Sequence, residues 1–453
     1  MADYIVAVDL GTSHLTGIVG ERNANGIFSI IACETVETDN CIHRGMITKS
    51  DNTAKHISDI LSKLERSLNG GYINKVYLGV GGQSIRTIDH PVEMDFPEET
   101  GITESDIAFL KEKCGDYQPE KKDGEALAMA SAVYFVDGRK DTKPVGALCK
   151  RLEARYKLVI GRSSLRHRIM ESFKKIPEKE IAGILVSPLA LADAVLSLSD
   201  KELGCALVDF GAGVTSVSIY KGGDLQHLCV IPLGGRLITL DLKSLNLTDA
   251  DAERLKRERG NAIYCKEDES KTFKLEVDGT EREIKLGDLN AIVEGRTREI
   301  VENVVARICD VIEPKELGAG IVLAGCASEL ENLPELIKEK CKVKHVRFSI
   351  IQKGLVNESD EIGNPLYMMA ISLMLKGTES CVSNPLSPWQ PNEKQEKGHL
   401  GDTGQEGGAD DAHETDDGKE TGDDKAGIGE KQPRQKNNRL KKIFKDYYPD
   451  LFT

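Results

Sequence analysis

Two aspartates, each at the end of an apolar run, are the residues of this sequence best placed to do chemistry. Asp9 and Asp209 are each followed by a loop of small and hydroxyl-bearing residues and then by a second β-rich run. Segments 7–19 and 207–219 share this pattern from end to end. A strand, a Gly/Thr/Ser turn and a second strand predict a β-hairpin, so the chain carries the same predicted hairpin twice.

The loops of these hairpins have the composition of a phosphate clamp. Small residues let backbone N–H groups approach phosphate oxygens closely, and hydroxyls add donors. Asp9 and Asp209 are predicted to face, through water, a magnesium ion that bridges the phosphates. One such loop alone is more often a plain β-turn, but two in register predict a cleft between facing domains. The residues predicted to bind phosphate are Gly11, Thr12, Ser13, Gly211, Ala212, Gly213 and Thr215.

Strands and helices alternate around both hairpins, which predicts an α/β fold. Residues 54–68 place their apolar side chains on one helical stripe. Asn364 precedes Pro365, which is typical of a helix start, and this helix is predicted to run through Leu375. Further predicted elements are strands at 75–80, 181–186 and 320–324 and helices at 163–173, 190–198 and 289–312.

Residues 84–162 differ in character from their surroundings. Pro91, Pro97 and Pro119 interrupt this segment, and its strand-like runs at 132–137 and 154–160 are less apolar. We therefore predict a small inserted subdomain, with regular structure broken at the prolines.

Composition excludes several classes of protein. The chain has 453 residues and a formal net charge of −14, and its first 390 residues hold no basic block, so we expect no nucleic-acid binding. The eleven cysteines are irregularly spaced, which favours free thiols in a reducing cytosol over disulfides or a zinc ribbon. No secretory signal and no bilayer-spanning apolar stretch is predicted.

The last part of the chain changes from acidic to basic. Residues 391–430 hold 13 Asp/Glu and 4 Lys, whereas residues 431–453 hold 7 Lys/Arg and 2 Asp. Residues 386–436 lack the apolar side chains that could offset the entropy of ordering, so a disordered linker is predicted. A flexible chain of this length spans ~35–40 Å.

Residues 437–453 are predicted to form an amphipathic helix that binds an anionic membrane surface. Leu440, Ile443, Phe444 and Tyr447 lie on one helical stripe, with basic residues mostly opposite. The alternative is a terminal helix that docks on its own domain, against which the long linker argues. The residues predicted to bind the membrane are Arg439, Leu440, Lys442, Ile443, Phe444, Tyr447, Leu451 and Phe452.

With these motifs the chain resembles the actin/Hsp70/sugar-kinase superfamily, and more narrowly the FtsA family of bacterial cell-division proteins. The resemblance covers about residues 1–385 and the extreme C-terminus. Besides the two phosphate loops it rests on segments 43–47 and 76–82 and on the Asp-Ala-Glu-Arg-Leu-Lys run at 251–256. It implies an actin-like, duplicated ribonuclease-H-type α/β fold with a small inserted α+β subdomain of the SHS2 type.

The resemblance also implies a nucleoside site and a division of the chain. Residues expected beside the nucleoside are Glu253, Lys256, Gly325, Cys326 and Ala327. The implied regions are subdomain 1A (1–83, 163–190 and 365–385), the inserted subdomain 1C (84–162), subdomains 2A and 2B (191–364), the linker and the terminal helix.

Three positions depart from the family pattern. Cys326 stands where a second glycine is usual, Ala212 where glycine is common, and His14 where relatives often carry lysine. A bulkier side chain at Cys326 is expected to shift the base or weaken nucleotide binding. No residue stands out as a catalytic base, so at most a weak ATPase is expected.

The resemblance implies the following function. ATP and Mg²⁺ bind between two actin-like halves, and the chain polymerises head-to-tail. It anchors the tubulin-like protein FtsZ to the inner face of the cytoplasmic membrane at the division site, and its inserted subdomain contacts other division proteins. Two alternatives stay open: an actin-like pilus-assembly protein, and a sugar-kinase-type phosphotransferase.

Overall fold

The computed structural model describes residues 3–120, 124–277 and 280–383, and every structural statement below concerns these residues. The predicted linker at 386–436 and the predicted helix at 437–453 lie outside them. Within the described part, no helix combines the length and the apolar character needed to cross a bilayer. All eleven cysteines fall within it, and each is a free thiol.

Helices and strands alternate along the described chain. The α-helices are α1 Ser50–Arg66, α2 Glu104–Gly115, α3 Ser163–Phe173, α4 Ser187–Val195, α5 Leu198–Leu203, α6 Gly235–Leu242, α7 Asp249–Arg259, α8 Leu286–Cys309, α9 Leu333–Cys341 and α10 Pro365–Leu375. The β-strands are β1 Asp3–Leu10, β2 His14–Arg22, β3 Phe28–Glu37, β4 Ile42–His43, β5 Met46–Ile47, β6 Tyr72–Ile73, β7 Lys75–Val80, β8 Arg86–Gly101, β9 Glu125–Val136, β10 Arg139–Asp141, β11 Leu148–Gly161, β12 Glu180–Val186, β13 Cys205–Phe210, β14 Thr215–Lys221, β15 Asp224–Ile231, β16 Thr272–Val277, β17 Thr280–Lys285, β18 Gly320–Ala324, β19 Val346–Phe348 and β20 Val382–Ser383.

The first predicted hairpin lies in a five-stranded sheet with the order β12-β7-β1-β2-β3. β1 runs antiparallel to β2 and parallel to β7, which is in turn parallel to β12. The carboxyl ends of β1, β7 and β12 therefore lie along one edge. α1 buries Ile57, Ile60, Leu61 and Leu64 of the stripe predicted at 54–68, but the helix begins at Ser50 and ends at Arg66, so Leu68 lies outside it.

The second predicted hairpin lies in a nine-stranded sheet, whose order is β10-β9-β11-β8-β15-β14-β13-β18-β19. β13 is antiparallel to β14 and parallel to β18, which repeats the arrangement of β1 with β2 and β7. A second hydrophobic cluster lies beneath these strands and includes residues of α6, α8 and α9. The duplication that the repeated loops predicted is thus present at the level of sheets.

The inserted region contributes the first four strands of that larger sheet together with α2, and it has its own hydrophobic cluster. Its strand β8 touches β15 of the second half where Arg86 pairs with Cys229. Nearby, the backbone N–H of Leu228 donates to Thr87 Oγ1 at 3.0 Å, and Lys140 Nζ lies 3.8 Å from a carboxylate oxygen of Asp224. The insertion, which follows β7 of the first half in the chain, therefore also contacts the second half.

The expectation that prolines break regular structure was wrong for β8, which runs through Pro91 and Pro97. Most of β8 pairs with β11 alone, and a missing N–H is tolerated on an open edge. Pro97 falls where the β8–β11 register shifts, so it interrupts no regular ladder.

The helix predicted at 190–198 was also misplaced. α4 begins three residues earlier, at Ser187, with Pro188 in its first turn. The separate short helix α5 follows it, capped by the Ser197 side chain, which accepts from the Asp200 N–H. The earlier start of α4 matters because it places a helix end at the edge where β1 ends.

Candidate functional site

Asp9 and Asp209 occupy equivalent places near the ends of β1 and β13. Asp9 pairs with Thr16 across the first hairpin, and Asp209 pairs with Ser216 across the second. Burial, and then the charge of Asp209, raise the pKa of Asp9 to about 7. Burial raises the pKa of Asp209 to about 6. We call the region where the two hairpins meet the crevice.

The two loops also touch each other. A Cβ atom placed on Gly213 would lie 2.5 Å from Thr12 Oγ1, so only glycine allows this approach. Thr12 is fixed from its other side, because the Gly45 N–H donates to its Oγ1 at 3.1 Å and Thr38 Oγ1 donates to its carbonyl oxygen at 2.6 Å. The hairpins that the sequence places 200 residues apart therefore meet at Thr12 and Gly213.

The first loop is a tight turn. A Cβ on Gly11 would lie 2.5 Å from the His14 carbonyl oxygen, which explains why the turn needs glycine here. Ser13 is exposed, and its Oγ lies 3.0 Å from His14 Nδ1. Gly11, Thr12 and Ser13 thus form one short segment that begins two residues after Asp9.

The second loop is held by the start of α6. The N–H groups of Gly235 and Arg236 donate to the carbonyl oxygens of Gly211 and Ala212, at 3.0 and 2.8 Å. Thr215, predicted as a phosphate donor, is fully buried, and its hydroxyl donates to the Leu233 carbonyl at 2.9 Å. The structure therefore gives Thr215 a role in holding the loop.

Glu253 and Lys256, predicted to lie beside the nucleoside, form one cluster with Thr239. Lys256 Nζ donates to Glu253 Oε2 at 2.7 Å and to Thr239 Oγ1 at 3.0 Å. Burial lowers the pKa of Lys256, although the Glu253 charge opposes it. Burial favours a higher pKa for Glu253, but its Lys256 and Thr239 contacts prevail and the pKa lies below its ordinary value.

Sequence reasoning missed Thr239, which is fully buried and donates to Glu253. It lies on α6, a helix that was not predicted, four residues after Gly235. A Cβ on Gly235 would lie 2.8 Å from the Ala327 side chain and 3.7 Å from Lys256 Nζ. The predicted nucleoside residues Glu253, Lys256 and Ala327 therefore converge around Gly235.

The turn after β18 presses against the second carboxylate. Gly325 has φ +80°, and a Cβ there would lie 2.5 Å from Asp209 Oδ1 and 2.4 Å from the Phe210 carbonyl oxygen. Ser328 Oγ donates back to the Gly325 carbonyl at 2.7 Å. Cys326 is exposed at the start of this turn. Gly325, Cys326 and Ala327 thus connect Asp209 to the Lys256 cluster.

Two adjacent cavities lie elsewhere, along α8. Their volumes are about 520 and 420 Å³, and both are lined by Ala291 and Gly295. Neither is lined by Asp9 or Asp209, so these cavities are separate from the crevice.

The crevice fits magnesium better than a metal held by protein ligands alone. Among the described residues, no group of three or more His, Cys, Asp or Glu side chains is arranged to hold a metal. Mg²⁺ commonly keeps several waters and uses one or two carboxylates plus substrate phosphates. Two like charges whose mutual approach raises the pKa of Asp9 would be relieved by a divalent cation.

Comparison with known proteins gives two family matches. The family model "Cell division protein FtsA" matches residues 206–372. The model "SHS2 domain inserted in FTSA" matches residues 82–160, which contain β8, α2 and β9–β10 and nearly all of β11.

Individual relatives extend these matches over most of the chain. The cell division protein FtsA of Porphyromonas gingivalis is 32% identical over 345 residues, covering 75% of this chain and 71% of that protein. FtsA of Bacillus subtilis is 30% identical over 382 residues, covering 82% and 83%.

A solved structure supports the fold at lower identity. A chain of the "PilM-PilN type IV pilus biogenesis complex" matches with a TM-score of 0.57 and 15% identity, covering 83% of this chain and 98% of that chain. This likeness concerns the fold alone. With the family matches and the relatives above, the chain belongs to the FtsA family of cell division proteins and has an actin-like fold with an inserted SHS2 subdomain.

Proposed function

We propose that this protein binds ATP with Mg²⁺ in the crevice between its two halves and, as a head-to-tail polymer, anchors FtsZ to the inner face of the cytoplasmic membrane at the division site. The observation that supports the nucleotide part is the contact between the two hairpins at Thr12 and Gly213, with one aspartate near the end of the preceding strand on each side.

The surroundings of the crevice support a nucleoside triphosphate. Gly11, Thr12 and Ser13 on one side and Gly211, Ala212 and Gly213 on the other are small residues that let a phosphate approach the backbone closely. Mg²⁺ supplies the positive charge that offsets the phosphates, held through water by the two carboxylates. The cluster of Glu253 and Lys256 and the turn from Gly325 to Ala327 lie on the Asp209 side, where the nucleoside is expected.

Titration of a fluorescent ATP analogue tests this proposal. We expect the full chain to bind it in the presence of Mg²⁺, and Asp209→Asn to weaken that binding at least ~10-fold because a carboxylate facing the cation is lost. Asp224→Asn is the matched control, since Asp224 lies on the β14–β15 turn against Lys140. Equal binding by wild type and Asp209→Asn would contradict the proposal.

The membrane part rests on residues 437–453. Each basic residue near an anionic surface contributes ~1 kcal/mol, so one helix binds weakly and a polymer binds through avidity. Phe444→Asp should reduce co-sedimentation with anionic vesicles, whereas Asn438→Asp adds the same charge on the opposite side of the predicted helix and should retain more binding. A chain ending at 436 that sediments like the full chain would refute the anchor.

We retain the sequence-based division into 1A (1–83, 163–190, 365–385), 1C (84–162), 2A and 2B (191–364), linker (386–436) and terminal helix (437–453) as part of this proposal.

The adaptor role predicts that FtsZ is recruited to vesicles only when the full chain is present. Copurification with pilus inner-membrane subunits would instead favour the pilus-assembly alternative. ADP production that depends on one small molecule would favour a phosphotransferase.

A further inference from the structure

The last described residues lie beside the loop that follows α3. Val382 and Ser383 of β20 pair with Ile73 and Tyr72 of β6. Lys179, in the loop between α3 and β12, donates from Nζ to the Ile73 carbonyl oxygen at 2.5 Å. The same Nζ lies 3.6 Å from the centre of the Tyr72 ring. The chain beyond Ser383 therefore begins next to the segment that ends α3.

The surface formed by α3 and its two ends is basic. Residues 162–175 hold five Arg/Lys and one Glu. We call the exposed basic side chains of this run, Arg162, His167, Lys174 and Lys175, the α3 surface. The whole chain has a formal net charge of −14, so this surface has the opposite sign to the molecule as a whole and attracts anionic groups.

The present partners of its two lysines are easily exchanged. Lys174 Nζ lies 2.7 Å from a carboxylate oxygen of Glu171, and Lys175 Nζ lies 2.6 Å from one of Asp51. The Lys174 side chain is 67% exposed and that of Asp51 is 86% exposed. Exposed ion pairs of this kind contribute only ~0.2–1 kcal/mol, so either lysine can take another carboxylate at little cost.

A strongly acidic stretch follows a short way along the same chain. Residues 402–424, which we call the acidic segment, hold ten Asp/Glu and one Lys. Residues 384–401 connect this segment to Ser383. A flexible connection of that length spans ~20–25 Å, and such a tether gives an effective concentration on the order of millimolar. A weak attraction between opposite charges is then enough to hold the acidic segment on a nearby basic surface.

Two other described runs have the same net charge as 162–175. Residues 139–151 of the insertion and residues 338–347 of the second half each hold five Lys/Arg and one Asp or Glu. What distinguishes α3 is its place, since the loop that follows it contacts the strand paired with β20. The second of these runs supplies a control with equal charge at another location.

We propose that the acidic segment, residues 402–424, folds back onto the α3 surface of the same chain. The contact is electrostatic and requires no single fold of the segment, because its carboxylates exchange among the basic side chains of α3. Charge and the place where the chain leaves the described residues both select this occupant.

Such a contact shortens the reach of the predicted terminal helix. Only residues 425–436 then separate the held segment from the helix at 437–453, and a flexible connection of that length spans ~20 Å. The helix is therefore kept near α3 until the charge contact breaks. Folding back of the acidic segment does not depend on nucleotide binding, so it goes beyond the proposed function.

Cross-linking of the full chain with a carbodiimide, which joins amines to carboxylates, tests the contact. At low ionic strength, mass spectrometry should find more links from the acidic segment to Lys174 and Lys175 than to Lys338 and Lys344 of the control run. At about 0.5 M NaCl, where the screening length falls to ~4 Å, the links to α3 should be lost. A mixture of isotope-labelled and unlabelled chains separates links within one chain from links between chains.

Charge reversal separates attraction from nearness. The double variant Lys174→Glu/Lys175→Glu should increase the radius of gyration of the monomeric full chain at low salt, measured by X-ray scattering, because the acidic segment is released. Lys338→Glu/Lys344→Glu changes the charge by the same amount on the second half and should keep the wild-type radius. Thermal unfolding confirms that both variants are folded.

Three results would overturn the fold-back contact. Links to Lys174 and Lys175 that persist unchanged at high salt would show that nearness alone produces them. Links mainly to lysines of 431–445 would mean that the acidic segment pairs with the basic end of the chain instead. If the α3 variant keeps the wild-type radius but loses co-sedimentation with anionic vesicles, the α3 surface binds lipid. Each of these results leaves the proposed nucleotide binding untouched.

Discussion

The two halves present the same carboxylate on the same hairpin, yet they support it differently. Around Asp9, Gly79 of the neighbouring strand β7 approaches the carboxylate, and a Cβ on it would lie 3.2 Å from Oδ1. Around Asp209, the neighbour is the turn at Gly325, where a Cβ would lie 2.5 Å from Oδ1 and the backbone has φ +80°. The two halves thus keep the carboxylate and differ in what packs beside it. Asp9 lies against a regular strand, and Asp209 lies against a tight glycine turn that leads to Ala327.

Adding a side chain to the turn beside Asp209 should change the stability of the protein more than any other substitution considered. Gly325→Ala places a Cβ 2.4 Å from a backbone oxygen at a residue with φ +80°, so we expect a loss of about 2–4 kcal/mol in the free energy of unfolding. Gly81→Ala is the control, since nothing lies within 4 Å of its Cβ position. Denaturant titration of both variants measures the contrast, and equal stability would show that the Asp209 side is not tightly packed.

The raised pKa values of Asp9 and Asp209 should make the stability of the protein depend on pH. A carboxyl whose pKa is raised on folding contributes stability at low pH that is lost as the pH rises through the folded-state pKa. Without ligand, wild type should therefore lose stability between about pH 4 and 7, from the ordinary aspartate pKa of 3.8 up to the Asp9 pKa of about 7.

Neutral variants test this directly. At pH 8 we expect Asp9→Asn to stabilise the ligand-free chain by about 1–3 kcal/mol, and Asp209→Asn by less, because its pKa of about 6 is raised less. At pH 5 both gains should shrink. Denaturant titrations across this pH range provide the measurement. A gain that grows toward acid pH would reverse the sign and contradict the assignment.

A smaller effect is expected at the nucleoside side. Lys256→Met removes the donor that bonds Glu253 and Thr239, and we expect nucleotide affinity to fall about 10-fold, equal to ~1.4 kcal/mol. Lys243→Met is the control, since Lys243 pairs with Asp249 outside this cluster. Calorimetric titration compares the two. Unchanged affinity in Lys256→Met would place the nucleoside elsewhere.

The smallest effect concerns the exposed thiol in the turn. Cys326→Gly removes a side chain from the segment that joins Asp209 to Ala327, and we expect nucleotide affinity to rise 2–5-fold, about 0.4–1 kcal/mol. The same titration measures it. Weaker binding would mean that the thiol itself contacts the nucleotide.

The sequence predicts those elements whose signals are local. The repeated hairpins, α3 and α10 follow from apolar periodicity bounded by Gly, Ser or Pro, and the structure has α3 and α10 at the predicted bounds. β8 was missed because its prolines read as breaks, whereas an open edge tolerates them. α6 was missed because it is short and opens with glycine.

The residues of the candidate site also differ in whether a local sequence motif reveals them. Asp9 and Asp209 were identifiable because each motif is contiguous, and the structure brings them together. Thr239 was not, since its role depends on a contact between α6 and α7 that no local pattern reveals. Whether the predicted residues bind nucleotide stays a prediction.

The contact between β8 and β15 has a mechanical consequence. The insertion follows β7 of the first half and pairs with β15 of the second half at Cys229, so it connects the two halves at a second place. A rotation of one half against the other would have to move the insertion as well, or break the hydrogen bond that the Leu228 N–H donates to Thr87. The orientation of the insertion is therefore coupled to the angle between the two halves.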